Sequence, residues 1–571
     1  MKSSELKKIL AMVIISTLLL SITGCNKTQT KTTPAPSTNV SSDPLAKYST
    51  PITIKIGRTV NSDFKFLGGD TADSNAWTKM YKDELNIDVK NMWVVDQSQA
   101  TTKMNTAIAS GDYPDIFSVT PSDYQKYANS GVIADVTSLY DKYMTAHGKE
   151  IVNSDNGYAL NSAKINGKLY GIPSVNNPYD SANILFLRKD WLTKLNLQVP
   201  KTAADVAKIA AAFTNQDPDS NGKKDTYGLA LDGKDVANWW GGVEPFFEMY
   251  GAYPVQSNSG YSLIKDSSGN LVWGGSLDGM KPALTELQNY YKSGFVAKDF
   301  GTMDYNKAIA EVTSGRAGMF FAPMFGAMTV SNDFLKTNPS GELIAVPIPG
   351  ADANTPGKAY LPSSLGNITV ISSKCKNPEA VFKIFCEDLE KVAFAKDAAT
   401  YNKFYGDSTT NTGWKLAITG GLLPMKNYIN FQKVSVAVEK KDPSGLNLEQ
   451  TAYYNQVTKD YQGKPVNGTD LAYVASWGVY NVFADPNGGY AAVDKLIKAK
   501  SYVMDGFGGA PTGKMSAVAS TLSDLAKTKI IKIIYGSATP DSWDSVVSNW
   551  KKIGGDDVLT DSNAWLKSTS K

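Results

Sequence analysis

Residues 104–117, reading MNTAIASGDYPDIF, constrain the fold more than any other stretch. Met104, Ala107 and Ile108 recur at the spacing of one helix face. Ser110, Gly111 and Asp112 stop that helix, because glycine tolerates the backbone angles of a helix end. Pro114 bars the helix from restarting. Ile116, Phe117 and Val119 then form the short apolar run of a buried parallel strand. Ligands in open α/β sheets bind beyond the carboxyl ends of the strands, so this reading puts a candidate site at residues 118–122.

The preceding residues fit the same plan. Ile52, Ile54 and Ile56 alternate with Thr53 and Lys55, a strand pattern. Residues 57–73 form a polar loop containing glycine. Trp77, Met80, Tyr81, Glu84 and Leu85 fall at helical spacing over residues 75–85, and residues 87–94 read as a second strand. The βαβαβ order predicts a doubly wound parallel sheet of the α/β class. A chain of 571 residues is too long for one core, so two domains are expected.

The first 25 residues read as a signal peptide. Lys7 and Lys8 make its basic end, and residues 9–20 are apolar but too short to span a membrane comfortably. Ile22-Thr23-Gly24-Cys25 matches the bacterial lipobox, in which the Cys25 thiol takes a diacylglycerol. Acyl chains would then anchor the protein without a transmembrane helix. The alternative is a plain secreted protein with a chance cysteine. Residues 26–50, rich in Thr, Ser, Pro, Lys and Asn, read as a flexible tether. A lipobox followed by such a tether suits the outer face of a single-membrane bacterium. The formal charge of +3 lies largely in the leader, so the remaining chain carries no electrostatic footprint for nucleic acid.

Seven segments, in order, resemble those of one family. They are the opening ASGDYPDI string; the run from Gly131 to Thr137 with Leu139-Tyr140-Asp141-Lys142-Tyr143; Gly167-Lys168-Leu169-Tyr170-Gly171-Ile172-Pro173; Arg188-Lys189-Asp190-Trp191-Leu192 with Pro200-Lys201-Thr202; Gly315-Arg316-Ala317-Gly318-Met319-Phe320; the run from Trp550 to Gly555; and Asn563-Ala564-Trp565. The chain resembles the bacterial extracellular solute-binding proteins of family one, in their large lipoprotein subgroup. The resemblance implies a type II periplasmic-binding-protein-like fold of two discontinuous α/β lobes joined by a hinge. On it, the lobes are expected at residues 51–178 plus 366–417 and at 179–365 plus 418–571. It also implies a receptor that binds an oligosaccharide or related carbohydrate, acts as a monomer, and closes around its ligand to deliver it to the permease of an ABC importer.

Asp217-Pro218-Asp219-Ser220-Asn221-Gly222-Lys223-Lys224-Asp225 has the layout of a calcium loop. Oxygen side chains fall at positions 1, 3, 5 and 9, Gly222 stands at the sharp turn, and Lys223 occupies position 7. Position 12 is Gly228 rather than a bidentate glutamate. Structural calcium loops of this kind occur in the subgroup that the chain resembles; the alternative is a turn held by Asx hydrogen bonds. No organic cofactor is expected.

Trp239 and Trp240 are adjacent, so both cannot point into one face, and at least one is expected at a cleft. Trp414 and Trp477 are further stacking candidates against a prior of core packing. Phe325, just past the strand of the AGMF segment, stands where the resemblance implies a cleft aromatic. Tyr179 and Asp180 lie at the expected hinge. Arg58 ends the first strand and Asp63 follows in its loop; either could bond sugar hydroxyls or simply be solvated.

Enzyme signatures are missing. His147 is the only histidine, so a histidine metal cluster or a Ser-His-Asp triad has little to build on. There is no phosphate-binding glycine loop and no nucleophile elbow. The rival readings are a peptide-binding importer receptor and a secreted glycoside hydrolase. Cys375 and Cys386 are separated by a helix and are expected as free thiols.

Overall fold

The computed structural model describes residues 41–60, 64–256, 259–394, 397–406, 413–419, 423–461, 471–509 and 511–569. Cys25, the leader, most of the tether and Asp63 lie outside the described residues.

Thirteen strands are described, in chain order: β1 (Ile52–Thr59), β2 (Ile87–Val95), β3 (Ile116–Val119), β4 (Gly171–Val175), β5 (Ile184–Arg188), β6 (Tyr227–Leu229), β7 (Leu263–Lys265), β8 (Leu271–Trp273), β9 (Ala317–Ala322), β10 (Leu343–Val346), β11 (Ala359–Leu361), β12 (Leu365–Ile371) and β13 (Tyr502–Met504). The first sheet has the order β2-β1-β3-β12-β4, and the second β10-β5-β9-β6. Two short two-stranded sheets pair β11 with β13 and β7 with β8. The fold is a two-lobe type II α/β architecture, one large sheet per lobe.

The opening motif forms as its residues require. The helix Gln97–Ser110 is capped by Asp96 and ends at Gly111, whose φ of 76° only glycine adopts freely. β3 sits in the middle of its sheet and runs parallel to β1, with Ile56 beside Ile116. On its other side β12 runs antiparallel, pairing Ile368 with Val119 through Ile371 with Ile116. The sheet is therefore mixed, not wholly parallel. β12 returns from the other lobe, so its direction is set by a long-range crossing that local periodicity does not record.

Two hydrophobic cores lie under these sheets. The first gathers Ile54, Ile56, Trp77, Ile116 and Phe117 with Ile368, Phe382 and Cys386. The second gathers Phe186, Phe213, Trp240, Phe320 and Phe334 with Trp273, Trp543 and Trp550. β5 and β9 are buried along their whole length, which is why both read as unbroken apolar runs. Phe186 stacks on Phe320 with centroids 4.9 Å apart, and Trp273 stacks on Trp550 at 4.7 Å. Asn563 clamps β8, accepting from Leu271 N at 2.8 Å and donating to Leu271 O at 2.9 Å.

The chain passes from the first sheet to the second between β4 and β5, and back between β10 and β12. Leu416 belongs to the first core and Tyr428 to the second, so a third passage falls between them. The passages are tied together: Asn176 N donates to Ser364 O at 2.8 Å, and Asn427 Nδ2 donates to Asp180 Oδ2 at 3.0 Å.

The residues just ahead of β1 are fastened to the first lobe. Tyr48 OH donates to Glu379 Oε1 at 2.8 Å, and the buried Lys383 donates to the carbonyls of Asp43 and Pro44 at 3.0 and 3.1 Å. Lys383 lies on the helix Ala380–Glu387. Cys375 and Cys386 are free and buried. No helix among the described residues is long and apolar enough to cross a membrane.

Candidate functional site

Three cavities open around the passages between lobes. The first, about 290 Å³, is lined by Trp239, Phe325, Asn183, Glu244, Asp180 and Gln256, among others. The second, about 430 Å³, is lined by Trp414, Tyr401, Tyr405, Lys426, Asn427, Glu449 and, again, Asp180. The third, about 960 Å³, is lined by Tyr158, Tyr179, Tyr502, Trp565, Asp155 and Asp505 among others. The second and third share Val175, Asn176, Pro424 and Met425, so the cavities adjoin along the lobe junction.

The two adjacent indoles part company. Trp239 is 41% exposed, with Phe325 at 5.2 Å and Tyr305 at 5.4 Å between ring centroids. Trp240 is fully buried and stacks on Phe320 at 4.7 Å, so it extends the aromatic layer on the second sheet and supports the first cavity from behind. Trp240 is therefore a core residue rather than a ligand platform. Trp477 is likewise buried, stacked on Phe334 at 6.0 Å. Arg58 is buried as well: Nη1 donates to Leu416 O at 2.9 Å and Nε to Asn91 Oδ1 at 3.2 Å. It points inward because it shares the strand face of Ile54 and Ile56. Residues 118–122 line none of the three cavities; Thr120 caps the helix Pro121–Ser130 and Ser122 meets Ser516 at 3.1 Å.

Asp180 is a hub. Its carboxylate accepts from Asn177 Nδ2, Asn427 Nδ2 and Tyr490 OH. Burial pushes its carboxyl above the usual range, against the pull of those donors. Glu244 differs. It is 6% exposed, and its Oε1 has no hydrogen-bond partner. Burial, then the charge of neighbouring Glu248, holds the Glu244 carboxyl well above its ordinary value, and burial pushes Glu248 up to about 7. In the third cavity burial pushes Asp505 up to about 6.

Sequence reasoning passed over Glu244, Asn183, Tyr158, Asp505 and Trp565. Glu244 was the most findable: a glutamate between Val243 and Pro245-Phe246-Phe247 stands out in an apolar run. The glycine-rich run from Gly506 to Gly509 follows the strand β13, and Gly506 lines the third cavity.

The acidic loop closes on itself. Asn221 Nδ2 donates to Asp219 Oδ2 at 2.8 Å and to Asp225 Oδ1 at 3.1 Å, Asn221 N donates to Asp217 Oδ1 at 3.2 Å, and Lys223 N donates to Asn221 Oδ1 at 2.7 Å. Lys194 Nζ binds the Pro218 carbonyl at 2.8 Å. Among the described residues no three acidic, His or Cys side chains already form a metal-holding group. The side chains of positions 1, 3 and 9 surround the Asn221 amide rather than forming a finished cation cage.

The model of the bacterial extracellular solute-binding proteins matches residues 76–385, more than half of the chain. The chain belongs to the bacterial extracellular solute-binding protein family. Among its curated relatives, lipoprotein LipO of Bacillus subtilis is 25% identical over 502 residues, covering 84% of this chain and 87% of that protein. The fructooligosaccharide ABC transporter substrate-binding protein FusA of Streptococcus pneumoniae is 28% identical over 251 residues, 42% of this chain and 45% of FusA. The polygalacturonan/rhamnogalacturonan-binding protein YtcQ of B. subtilis is 29% identical over 252 residues, 43% of this chain and 46% of YtcQ. The solved structure of an EF-hand mutant of FusA with fructo-nystose shares the fold at a TM-score of 0.57 and 18% identity, covering 91% of this chain and 99% of that one. Within this solute-binding protein, the family match carries Asp180, Asn183, Trp239, Glu244 and Phe325. Trp414, Asp505 and Trp565 lie beyond it.

Proposed function

We propose that this solute-binding protein is the carbohydrate receptor of an ABC importer, held on the outer face of the cell membrane by a lipid on Cys25. It binds an oligosaccharide at the lobe junction, works as a monomer, and presents the liganded form to the permease. The observation that carries this reading is the make-up of the cavity walls. Exposed indoles at Trp239 and Trp414 offer flat apolar surfaces to the C–H face of a sugar ring, and carboxylates and amides surround them to meet hydroxyls. The fructooligosaccharide of FusA and the polygalacturonan or rhamnogalacturonan of YtcQ agree with it. The lobes, joined by three passages, would close by bending there.

The function is binding without turnover. Isothermal titration of the protein with an oligosaccharide panel, run beside a reducing-sugar assay, tests this. Binding with no new reducing ends is the expected result; release of reducing ends would overturn it.

Calcium at the acidic loop is part of the proposal. Asp217, Asp219 and Asp225 would hold the ion with Asn221 and the carbonyl of Lys223. Rotating the Asn221 amide would turn its oxygen inward, at the cost of the bond it now accepts from Lys223 N. Excess chelator should then lower the melting temperature while leaving sugar affinity nearly unchanged, and Asp219→Ala should do the same without chelator. A melting temperature indifferent to chelator would remove calcium from the account.

A further inference from the structure

The lobes also touch away from the three passages. Ser122, in the first turn of the helix Pro121–Ser130, faces Ser516, in the first turns of the helix Gly513–Ile534, with 3.1 Å between the hydroxyl oxygens. Tyr124 and Tyr127 root the first of these helices in the first core, and Met515 and Leu522 root the other in the second. A further contact lies at Gly508. A Cβ built there would run into Tyr158 Oη and come within 2.6 Å of Tyr158 Cε1. The Tyr158 ring therefore rests on the backbone of Gly508, and a side chain at that position would hold it off. The φ of Gly508 is not in the left-handed region, so what calls for glycine here is the close neighbour rather than the backbone angle.

Each half of this contact is fixed to its own lobe. Tyr158 starts the helix Tyr158–Ser162, whose Leu160 belongs to the first core and whose Ala159 N donates to Asp155 Oδ2 at 2.8 Å. Around Gly508 the chain is held by the second lobe: Gly506 N donates to Leu263 O at 2.6 Å, and the Phe507 ring meets Trp565 edge-on with centroids 5.0 Å apart. Tyr158, Gly506 and Trp565 also line the third cavity, so the contact forms part of the wall of the largest of the three spaces. The serine pair is exposed and exchanges its bond for solvent bonds at little cost. Such contacts form and part without unfolding either lobe, and a solute that prefers one arrangement sets the balance.

We infer that Gly508 and Ser516 form a latch on the second lobe: Gly508 seats Tyr158 and Ser516 meets Ser122 when the lobes are together, and both contacts part when the lobes swing open to admit solute. The two are made and broken together, because each joins one core to the other.

Cross-linking measures how often the lobes meet. The full chain is made with Cys25→Ser, which leaves the buried Cys375 and Cys386 as its native thiols, and with Ser122→Cys and Ser516→Cys together. Oxidised glutathione accepts the two electrons as the two new thiols join. The expected result is one intramolecular disulfide, seen by peptide mapping without reductant, since the hydroxyl oxygens that the sulfurs replace lie 3.1 Å apart. Adding Gly508→Ala should slow its formation about tenfold or more, because the rate follows the fraction of molecules with the lobes together. Adding Tyr158→Ala to that chain removes the obstruction and should restore most of the rate. A substitution that merely disturbed the loop would not be mended from the other lobe. No disulfide in the parent, a rate indifferent to Gly508→Ala, or a slowed rate that Tyr158→Ala fails to restore would each overturn the latch. Maltotriose, cellotriose, xylotriose and kestose are then titrated into both forms. A sugar that binds the reduced chain should bind the cross-linked chain at least about tenfold more weakly, and equal affinity would overturn the gating of solute. If none of them binds the reduced chain, the reading of these sugars as ligands falls, while the cross-linking rates still decide the latch.

Discussion

The cavities beside Trp239 and Trp414 look alike in composition and differ in bookkeeping of hydrogen bonds. Each has a partly exposed indole, 41% at Trp239 and 37% at Trp414, and each has a glutamate. Beside Trp414, Glu449 is saturated: Oε1 accepts from Lys426 at 2.8 Å and Tyr453 at 3.2 Å, and Oε2 from Asn430 at 3.0 Å. Beside Trp239, Glu244 Oε1 receives nothing. The same residue type is a brace held by donors in one wall and, in the other, a buried carboxyl set against a second one, Glu248. What separates the two is whether hydrogen-bond donors or a neighbouring carboxyl face the lone pairs.

The comparison can be broken in several ways, the largest first. Trp240→Ala should cost about 3–5 kcal/mol of stability, as for other buried tryptophans, while Trp239→Ala should cost under about 1 kcal/mol. Urea unfolding of both variants measures this, and equal losses would erase the distinction between the neighbouring indoles. Next comes the wall that both cavities share. Asp180→Ala orphans donors on Asn177, Asn427 and Tyr490, and should cost about 2–3 kcal/mol. A stability like wild type would show that the passages are not tied through this carboxylate.

Binding sharpens the contrast further. Trp239→Ala should weaken oligosaccharide binding by about 1–3 kcal/mol, and Trp414→Ala by no more than about 1 kcal/mol. Titration calorimetry gives the order, and a reversed order would move the main platform to the second cavity. The smallest effect is in pH. Glu248 titrates at about 7 in the folded protein, above its ordinary carboxylate range. The folded state therefore holds a proton that the unfolded chain releases. The stability this provides is full below about pH 4.5 and is lost as the pH rises through 7. Glu248→Gln should flatten the fall in melting temperature between pH 5 and pH 8, and Glu449→Gln should not. Equal slopes in wild type and Glu248→Gln would count against burial holding a proton on that carboxyl.

Much of the scaffold was legible because its signals are local. The helix, turn and strand of residues 104–117 depend on periodicity, one glycine and one proline, and they form where those residues say. The mixed sheet was not legible, since the direction of β12 is decided by a passage from the other lobe. The site was legible in part. Adjacency alone told that Trp239 and Trp240 would face different ways, but not which would face out; that was decided by Phe320, eighty positions along the chain and stacked on Trp240. Arg58 could have been read correctly, because strand parity places it with Ile54 and Ile56. Glu244 stands out as an acid in an apolar run, but its packing against Glu248 is a burial that no single sequence displays.

The grip of Lys383 and Glu379 on residues 43–48 has a mechanical side. Tension arriving through the chain ahead of Asp43 meets the Ala380–Glu387 helix before it reaches β1. Were the chain held by a lipid on Cys25, as proposed, the first lobe would be the moored half of the molecule, and the second would hang from it through three passages of chain. Drag on the lead-in segment would then be taken up at this cleat, and the junction between the lobes would be spared the load.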